Sequence, residues 1–325
     1  MKAPYGRTPP HYCGTLIDWP PEIRHDYNFE KAKDGVSSVI NLYYYGFLKS
    51  CVKLYRIAGD KRQAEKLEVK RDNLAKNLIL YLYDNKKHLF VDYLGSENTP
   101  YHASPMAMAF GLPLPDGYRA IKDQIECEGL RCGVYFAYFV IQGLYNAGYN
   151  DLAYRLITSH AEYSWYSMLE AGATTCMEVW KPDMKSNTSW CHPWSSSPII
   201  FISENTMGLS PATPTWRSIY FKPRPPISLD SSKLTMNTPN GSITVSYFKD
   251  SHTTHYILEL ENTGYFILEF KDILPDITID NVDIELSKGK DEIKSQLLRH
   301  EITLSKGIHT ISTYSLPSAL AFGGC

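Results

Sequence analysis

Apolar residues recur at three- and four-residue spacings through the first two-thirds of the chain and at every second position in the last third. The pattern therefore predicts helices followed by strands. Over 36–58 the series Val36, Ile40, Tyr43/Tyr44, Phe47, Cys51, Leu54 and Ala58 marks one helix face, and Gly59-Asp60 ends the run. A second helix, 61–83, is charged on one side and carries Ala64, Leu67, Leu74, Leu78 and Leu82 on the other, so the two predict an αα-hairpin. A short extended piece is expected at 89–93. The helical pattern then resumes at 101–110, 116–127, 133–147 and 150–161, with a last helix at 197–208. The segment 133–147 is apolar nearly all round, as a helix enclosed on every side would be. Inner helices are expected near 36–58, 101–111 and 133–148.

From Thr213 the character changes. Pro211, Pro214, Pro223, Pro225 and Pro226 mark an edge, and period-two runs follow at 243–248, 255–261, 264–270, 283–286, 302–304 and 308–314. Asn262-Thr263-Gly264 predicts a hairpin turn between two of them. The expected organisation is α+β and multidomain: a helical domain over 1–212 and a small antiparallel β-sandwich over 213–325.

Composition narrows the function classes. The chain has 325 residues, 43% hydrophobic, enough for a sizeable core. A formal net charge of −2 and the lack of any Lys/Arg stripe argue against nucleic acid or an anionic membrane as partner. No apolar run reaches the length of a membrane span, and no apolar signal segment opens the chain; the compartment stays unknown. The seven Cys form no CxxC pair, so neither a metal site nor a disulfide framework is expected, and most should be reduced, buried thiols. No cofactor is implied. The 24 Tyr and 6 Trp suit a carbohydrate binder and a thick core equally.

The candidate chemistry gathers in 171–194. Glu178 stands two residues before Trp180, and Trp190, His192 and Trp194 follow. Pyranose faces stack on indole while hydroxyls need charged or imidazole partners, so a carboxylate among Trp rings fits a sugar site. Apolar walls should also raise the carboxyl pKa. The same residues equally describe a Trp-rich core segment with Glu178 salt-bridged at its edge. Near the N-terminus, Asp18-Trp19 offers another carboxylate–indole pair, read either as pocket wall and hydroxyl acceptor or as a loop with a buried Trp and a capping Asp. His102, at a helix start, is read as a cap or core residue before a pocket residue.

Three motifs in order give a sharper reading. Gly172-Ala173-Thr174-Thr175-Cys176-Met177-Glu178-Val179-Trp180 resembles the Gly-Ala-Thr-Thr-x-x-Glu-x-Trp motif of the α-L-rhamnosidases of glycoside hydrolase family 78. Ser164-Trp165-Tyr166-Ser167-Met168-Leu169 and Trp190-Cys191-His192-Pro193-Trp194 resemble the runs on either side of it, and Asp18-Trp19-Pro20 an Asp-Trp segment between inner helices. The resemblance implies Glu178 as general base and His192 as a sugar-binding residue, with Trp19 and Asp18 or Asp26 in the same pocket, and a rhamnose-containing glycoside or polysaccharide as ligand. Trp180, next to the motif carboxylate, is expected to line that pocket too. The resemblance also implies an (α/α)6 toroid of six helical hairpins followed by a jelly-roll-like sandwich.

Two features depart from that family. Residues 30–212 supply six or seven helices, about half a toroid. The Asp-x-x-x-Arg-Asp-Glu-type motif that carries the family's general acid does not occur; Arg24-His25-Asp26 is its nearest echo. Inversion needs two carboxyls on opposite sides of the scissile bond. Either Asp18, Glu22 or Asp26 serves as acid, or the chain is an incomplete enzyme lacking an N-terminal half, with apolar surface left open. A non-catalytic sugar-binding or interaction protein, and another (α/α)6 glycosidase specificity, are the alternatives.

Overall fold

Local signals start and stop the helices where the pattern predicts. The computed structural model describes residues 17–20, 23, 26–28, 31, 35–250, 253–271, 273–288 and 297–315. Ser37 caps α1 (Ser38–Ile57) by accepting the Ile40 amide at 3.4 Å, and Asp60 caps α2 (Lys61–Leu82) by accepting the Gln63 amide at 3.0 Å. The three-residue link between them closes a helical hairpin. A two-stranded ribbon, β1 (Tyr83–Asp84) with β2 (Leu89–Phe90), follows. The 101–110 helix is a 3₁₀ turn over Tyr101–Ala103 and then α3 (Pro105–Ala109).

Next come α4 (Arg119–Glu128), α5 (Val134–Ala147) and α6 (Asn150–Ile157). Gly148 ends α5 in the left-handed conformation. A Cβ on Gly143 of α5 would lie 3.0 Å from the Ala109 amide nitrogen, so this glycine lets α3 approach closely. A short helix absent from the predicted set, α7 (Trp165–Glu170), opens the motif region. The predicted 197–208 helix is α8 (Ser197–Phe201) running into a π-helical turn, Ile202–Thr206.

The face α1 buries is not the predicted one. Val39, Leu42, Tyr45, Leu48 and Val52 are enclosed, whereas Phe47 and Leu54 are 60% and 63% exposed. The helix is apolar on two sides and only one is covered among the described residues. Periodicity finds a helix with two such stripes but does not choose between them.

The chain divides into two compact units, Met1–Ser197 and Pro198–Cys325. The second is a β-sandwich. It is built from β3 (Leu209–Pro211), β4 (Ser218–Phe221), β5 (Ser231–Thr238), β6 (Gly241–Lys249), β7 (Thr253–Leu260) and β8 (Gly264–Lys271). The remaining strands are β9 (Ile273–Ile279), β10 (Val282–Glu285), β11 (Ser287–Lys288), β12 (Leu297–Leu304) and β13 (Gly307–Ser315). One sheet has the order β10-β9-β13-β7-β6-β5, the other β11-β12-β8-β4-β3. Among the described residues all ladders are antiparallel except β4 with β8. Alternate residues of each strand, such as Ile243, Val245 and Tyr247 or Phe266, Leu268 and Phe270, meet in one core between the sheets.

The hairpin predicted at 262–264 is corrected. β7 and β8 lie in different sheets, so Asn262-Thr263-Gly264 is a corner between layers. Asn240 and Asn262 tie it to the β5–β6 turn: the Asn240 side-chain amide donates to the Thr263 carbonyl at 3.1 Å, and Asn262 donates to the Asn240 carbonyl at 3.3 Å.

Candidate active site

The motif residues hold one another before they offer anything to a ligand. Ser164 caps α7, its hydroxyl accepting the Ser167 amide at 3.2 Å, while the Ser167 hydroxyl reaches the Trp180 carbonyl at 3.0 Å. Trp165 donates its indole N–H to the Ser195 carbonyl at 2.7 Å and meets the Trp180 ring edge-on, centroids 5.0 Å apart. Trp180 is fully buried and donates to the Cys132 carbonyl at 2.6 Å. In this structure it anchors the segment and presents no face to a sugar, in contrast to the pocket position expected for it.

Glu178 lies two residues earlier, its side chain 12% exposed. Its amide donates to the Ser189 carbonyl at 2.9 Å. Its carboxylate oxygen Oε2 accepts the Lys185 ammonium at 2.8 Å and the Ser189 amide at 3.0 Å, both on the same oxygen. Burial works to raise the carboxyl pKa. The Lys185 ammonium, the Ser189 amide and the charge of His192 outweigh it and leave the group below the usual glutamate range. The elevation predicted from an apolar wall is thereby corrected. The wall is interrupted by a lysine seven residues away in an irregular loop.

Around Glu178 the aromatic groups are closely connected. Trp194 donates its indole N–H to the Glu178 carbonyl at 3.0 Å and takes the His192 ring edge-on at 4.2 Å. Tyr135 of α5 packs on Trp194 at 5.5 Å, and its hydroxyl is 2.9 Å from that of Tyr43 on α1. Burial, then Tyr135, then the Asp18 charge push the Tyr43 phenol far above its ordinary value, so it stays protonated. The sequence marks Tyr43 only as a helix-face residue and gives no signal for Tyr135 or Lys185. The two tyrosines are hidden in helices rich in aromatic residues, and Lys185 sits in no motif.

Asp18 is enclosed. One carboxylate oxygen, Oδ2, lies 2.7 Å from His102 Nε2 and accepts the Gly133 amide at 2.6 Å, and Oδ1 accepts the Trp19 amide at 2.8 Å. Both members of the Asp18–His102 pair are 0% exposed. A Cβ on Gly133 would sit 2.5 Å from Asp18 Oδ1, so only glycine admits the carboxylate here. Cys132-Gly133 thus bridges the two clusters, accepting Trp180 on one side and donating to Asp18 on the other. Asp18 holds the fold together at this point and, being enclosed, offers no oxygen to a sugar hydroxyl. His102 is a core residue, as read from sequence; its Nδ1 is buried with no partner among the described residues.

Trp19 is half-buried beside this junction. Asp26 is exposed; its backbone carbonyl accepts Asn98 at 2.8 Å and its charge acts on Arg131, a setting apart from the Glu178 contacts. Glu22, Arg24 and His25 lie outside the described residues. The structure therefore brings Glu178, His192 and Trp194 together directly and links Asp18 and Trp180 through Cys132-Gly133. A cavity of about 230 Å³ between α1 and α2, lined by Val36, Leu74, Leu78, Tyr81, Leu82 and Leu94 among others, contains none of the motif residues.

The expected thiol burial is also corrected: of the five described cysteines only Cys132 is buried, while Cys127 and Cys191 are exposed. Among the described residues no helix is long and apolar enough to cross a membrane.

Lys185→Met removes the main opposing charge, so the Glu178 carboxyl pKa should rise toward the ordinary glutamate range. Carbon-detected NMR titration of the side chain measures this, and an unchanged pKa contradicts the pairing.

Helical hairpins carrying a Glu–Trp–His cluster, followed by a β-sandwich, define a glycosidase-type architecture. The family model for the bacterial alpha-L-rhamnosidase 6 hairpin glycosidase domain matches residues 13–206, and that for the bacterial alpha-L-rhamnosidase C-terminal domain matches residues 208–260. The chain belongs to the bacterial α-L-rhamnosidase family. A relative named alpha-L-rhamnosidase from Formosa agariphila is 24% identical over 283 residues, covering 82% of this chain and 30% of that protein.

Among solved structures, the α-L-rhamnosidase of Dictyoglumus thermophilum has a TM-score of 0.67 at 17% identity, covering 84% of this chain and 31% of that one. That of Aspergillus terreus has a TM-score of 0.65 at 17% identity, covering 92% and 32%. These structures share the fold. The chain spans about a third of the length of the relatives it matches.

Proposed function

We propose that this chain is the C-terminal part of an inverting glycosidase that releases terminal L-rhamnose. Its own contribution is Glu178, acting as the base that activates water. The observation that carries the reading is the state of that carboxylate. Oε2 is held by Lys185 and Ser189, and Oε1, which takes no hydrogen bond among the described residues, is left to take a proton from water. A group kept ionised in this way suits a base, and its low pKa suits the acid role poorly. His192 and Trp194 supply the imidazole and indole a sugar ring needs.

The second carboxyl comes, in this reading, from an N-terminal half of the same catalytic domain. Three observations support that. The chain matches only 30% of its relative's length. The acid motif is absent from its sequence. Phe47, Leu54 and Ile57 of α1 and Val69, Leu80 and Tyr81 of α2 are exposed on the first hairpin. The expected consequence is that the isolated chain self-associates and that a segment completing the helices suppresses this. Sedimentation velocity tests it, and a monodisperse monomer at high concentration contradicts it. The alternative, a non-catalytic sugar binder, is favoured only by the missing acid. Saturable binding of free rhamnose, with no turnover even after completion, would select it.

A further inference from the structure

The segments flanking Glu178 run side by side in opposite directions. The His192 amide donates to the Cys176 carbonyl at 2.8 Å, and the Glu178 amide donates to the Ser189 carbonyl at 2.9 Å. Between these the Thr175 hydroxyl reaches the Trp190 carbonyl. The pairing sets His192 opposite Cys176 and leaves Cys191 one position away, so the two cysteines are diagonal neighbours whose α-carbons lie about 5.5–6.5 Å apart by antiparallel spacing and strand rise. A disulfide spans about 4.4–6.8 Å between α-carbons, so no large backbone movement is required. Cys176 is half-buried, Cys191 is exposed, and both are free thiols. Burial first, and then the neighbouring Cys191 charge, push the Cys176 thiol up.

We propose that Cys176 and Cys191 form a redox-closable clasp across the Glu178 segment, bridged by a disulfide when a peroxide is present. The exposed Cys191 thiolate attacks the O–O bond of hydrogen peroxide, giving a sulfenic acid and releasing hydroxide. The Cys176 sulfur then displaces the sulfenic oxygen as water and the S–S bond forms. Two thiols and one peroxide become one disulfide and two waters, with two electrons passing from sulfur to oxygen. Closure ties the Glu178 segment to the His192 segment. That consequence for a sugar site rests on the function proposed above, while the bond itself does not.

The test uses the full chain treated with a small excess of hydrogen peroxide, alkylated and digested with trypsin. Cleavage after Lys185 puts Cys176 and Cys191 on different peptides. The expected product is a linked pair, lighter than the sum of its parts by two hydrogens and lost on reduction. Cys191→Ser should abolish it, and the exposed Cys127 should stay unlinked. The linked yield should fall several-fold when oxidation is run in concentrated urea. Recovery of both cysteines separately, alkylated or over-oxidised, overturns the clasp. So does an equal yield in urea, because proximity along the chain would then suffice. Rhamnose titration of the reduced and oxidised forms is a separate arm: absence of binding in both counts against the sugar site and leaves the clasp standing.

Discussion

Glu178→Gln is expected to lower hydrolysis of an aryl α-L-rhamnoside by about 10²–10⁴-fold once the catalytic domain is complete. Glutamine keeps the shape and still accepts from Ser189, but it cannot take a proton. Sugar affinity should change far less, because the His192 and Trp194 rings are untouched, so the loss falls on kcat and not on KM. The Lys185 ammonium then loses the carboxylate it sits against at 2.8 Å. Lys185→Met in the same background therefore separates that electrostatic side effect from the loss of the base. A completed enzyme that keeps its full rate with Gln at 178 would remove this residue from the mechanism.

The second large effect is on stability. Trp180→Ala should cost about 3–5 kcal/mol, as other buried Trp truncations do. The indole is fully enclosed, packs edge-on against Trp165 and satisfies the Cys132 carbonyl. Its removal leaves both a cavity and an unpaired buried acceptor. Because Cys132 leads directly into the Gly133 amide that binds Asp18, the damage should spread to the Asp18–His102 pair. Trp190→Ala is the matched control, since that ring is 46% exposed and its loss should stay within about 0.5 kcal/mol. Urea unfolding followed by circular dichroism measures both. Equal midpoints for the two variants would contradict the anchoring role.

These two residues show what a sequence can and cannot reveal. The 164–194 segment was legible because family motifs preserve residue types at fixed spacing. Yet the motif alone did not distinguish Trp180, which holds the segment, from Trp194, which lies beside His192. That difference depends on Cys132, 48 positions away from Trp180 in the chain. Asp18 has the same history. Its partners stand 84 and 115 positions away, at His102 and Gly133, and those distant contacts turn a loop carboxylate into an enclosed one.

Helices were found at nearly the expected places because caps and glycines act locally: Ser37, Asp60 and Gly148 do their work within four residues. The face that α1 buries depends on what packs against it, and both of its stripes are apolar. In the sandwich, β6, β7, β8 and β13 alternate strongly and were recognised. β5 reads Ser-Ser-Lys-Leu-Thr-Met-Asn-Thr, an edge strand whose two apolar residues are only partly covered, and it gave no period-two signal worth reading. The corner at 262–264 has hairpin residues but joins two sheets, a choice made by the packing of Leu260 and Phe266 in the shared core.

The central claim is that this chain supplies the base-bearing part of a rhamnosidase and needs the rest of the catalytic domain to act. The most direct measurement is release of 4-nitrophenol from its α-L-rhamnoside by the purified chain, alone and with the N-terminal helical segment supplied as a separate polypeptide. The account predicts no release above background from the chain alone, and turnover that appears with the added segment and saturates as the two reach equal amounts. Hydrolysis by the chain alone, at a rate the added segment does not change, would contradict it.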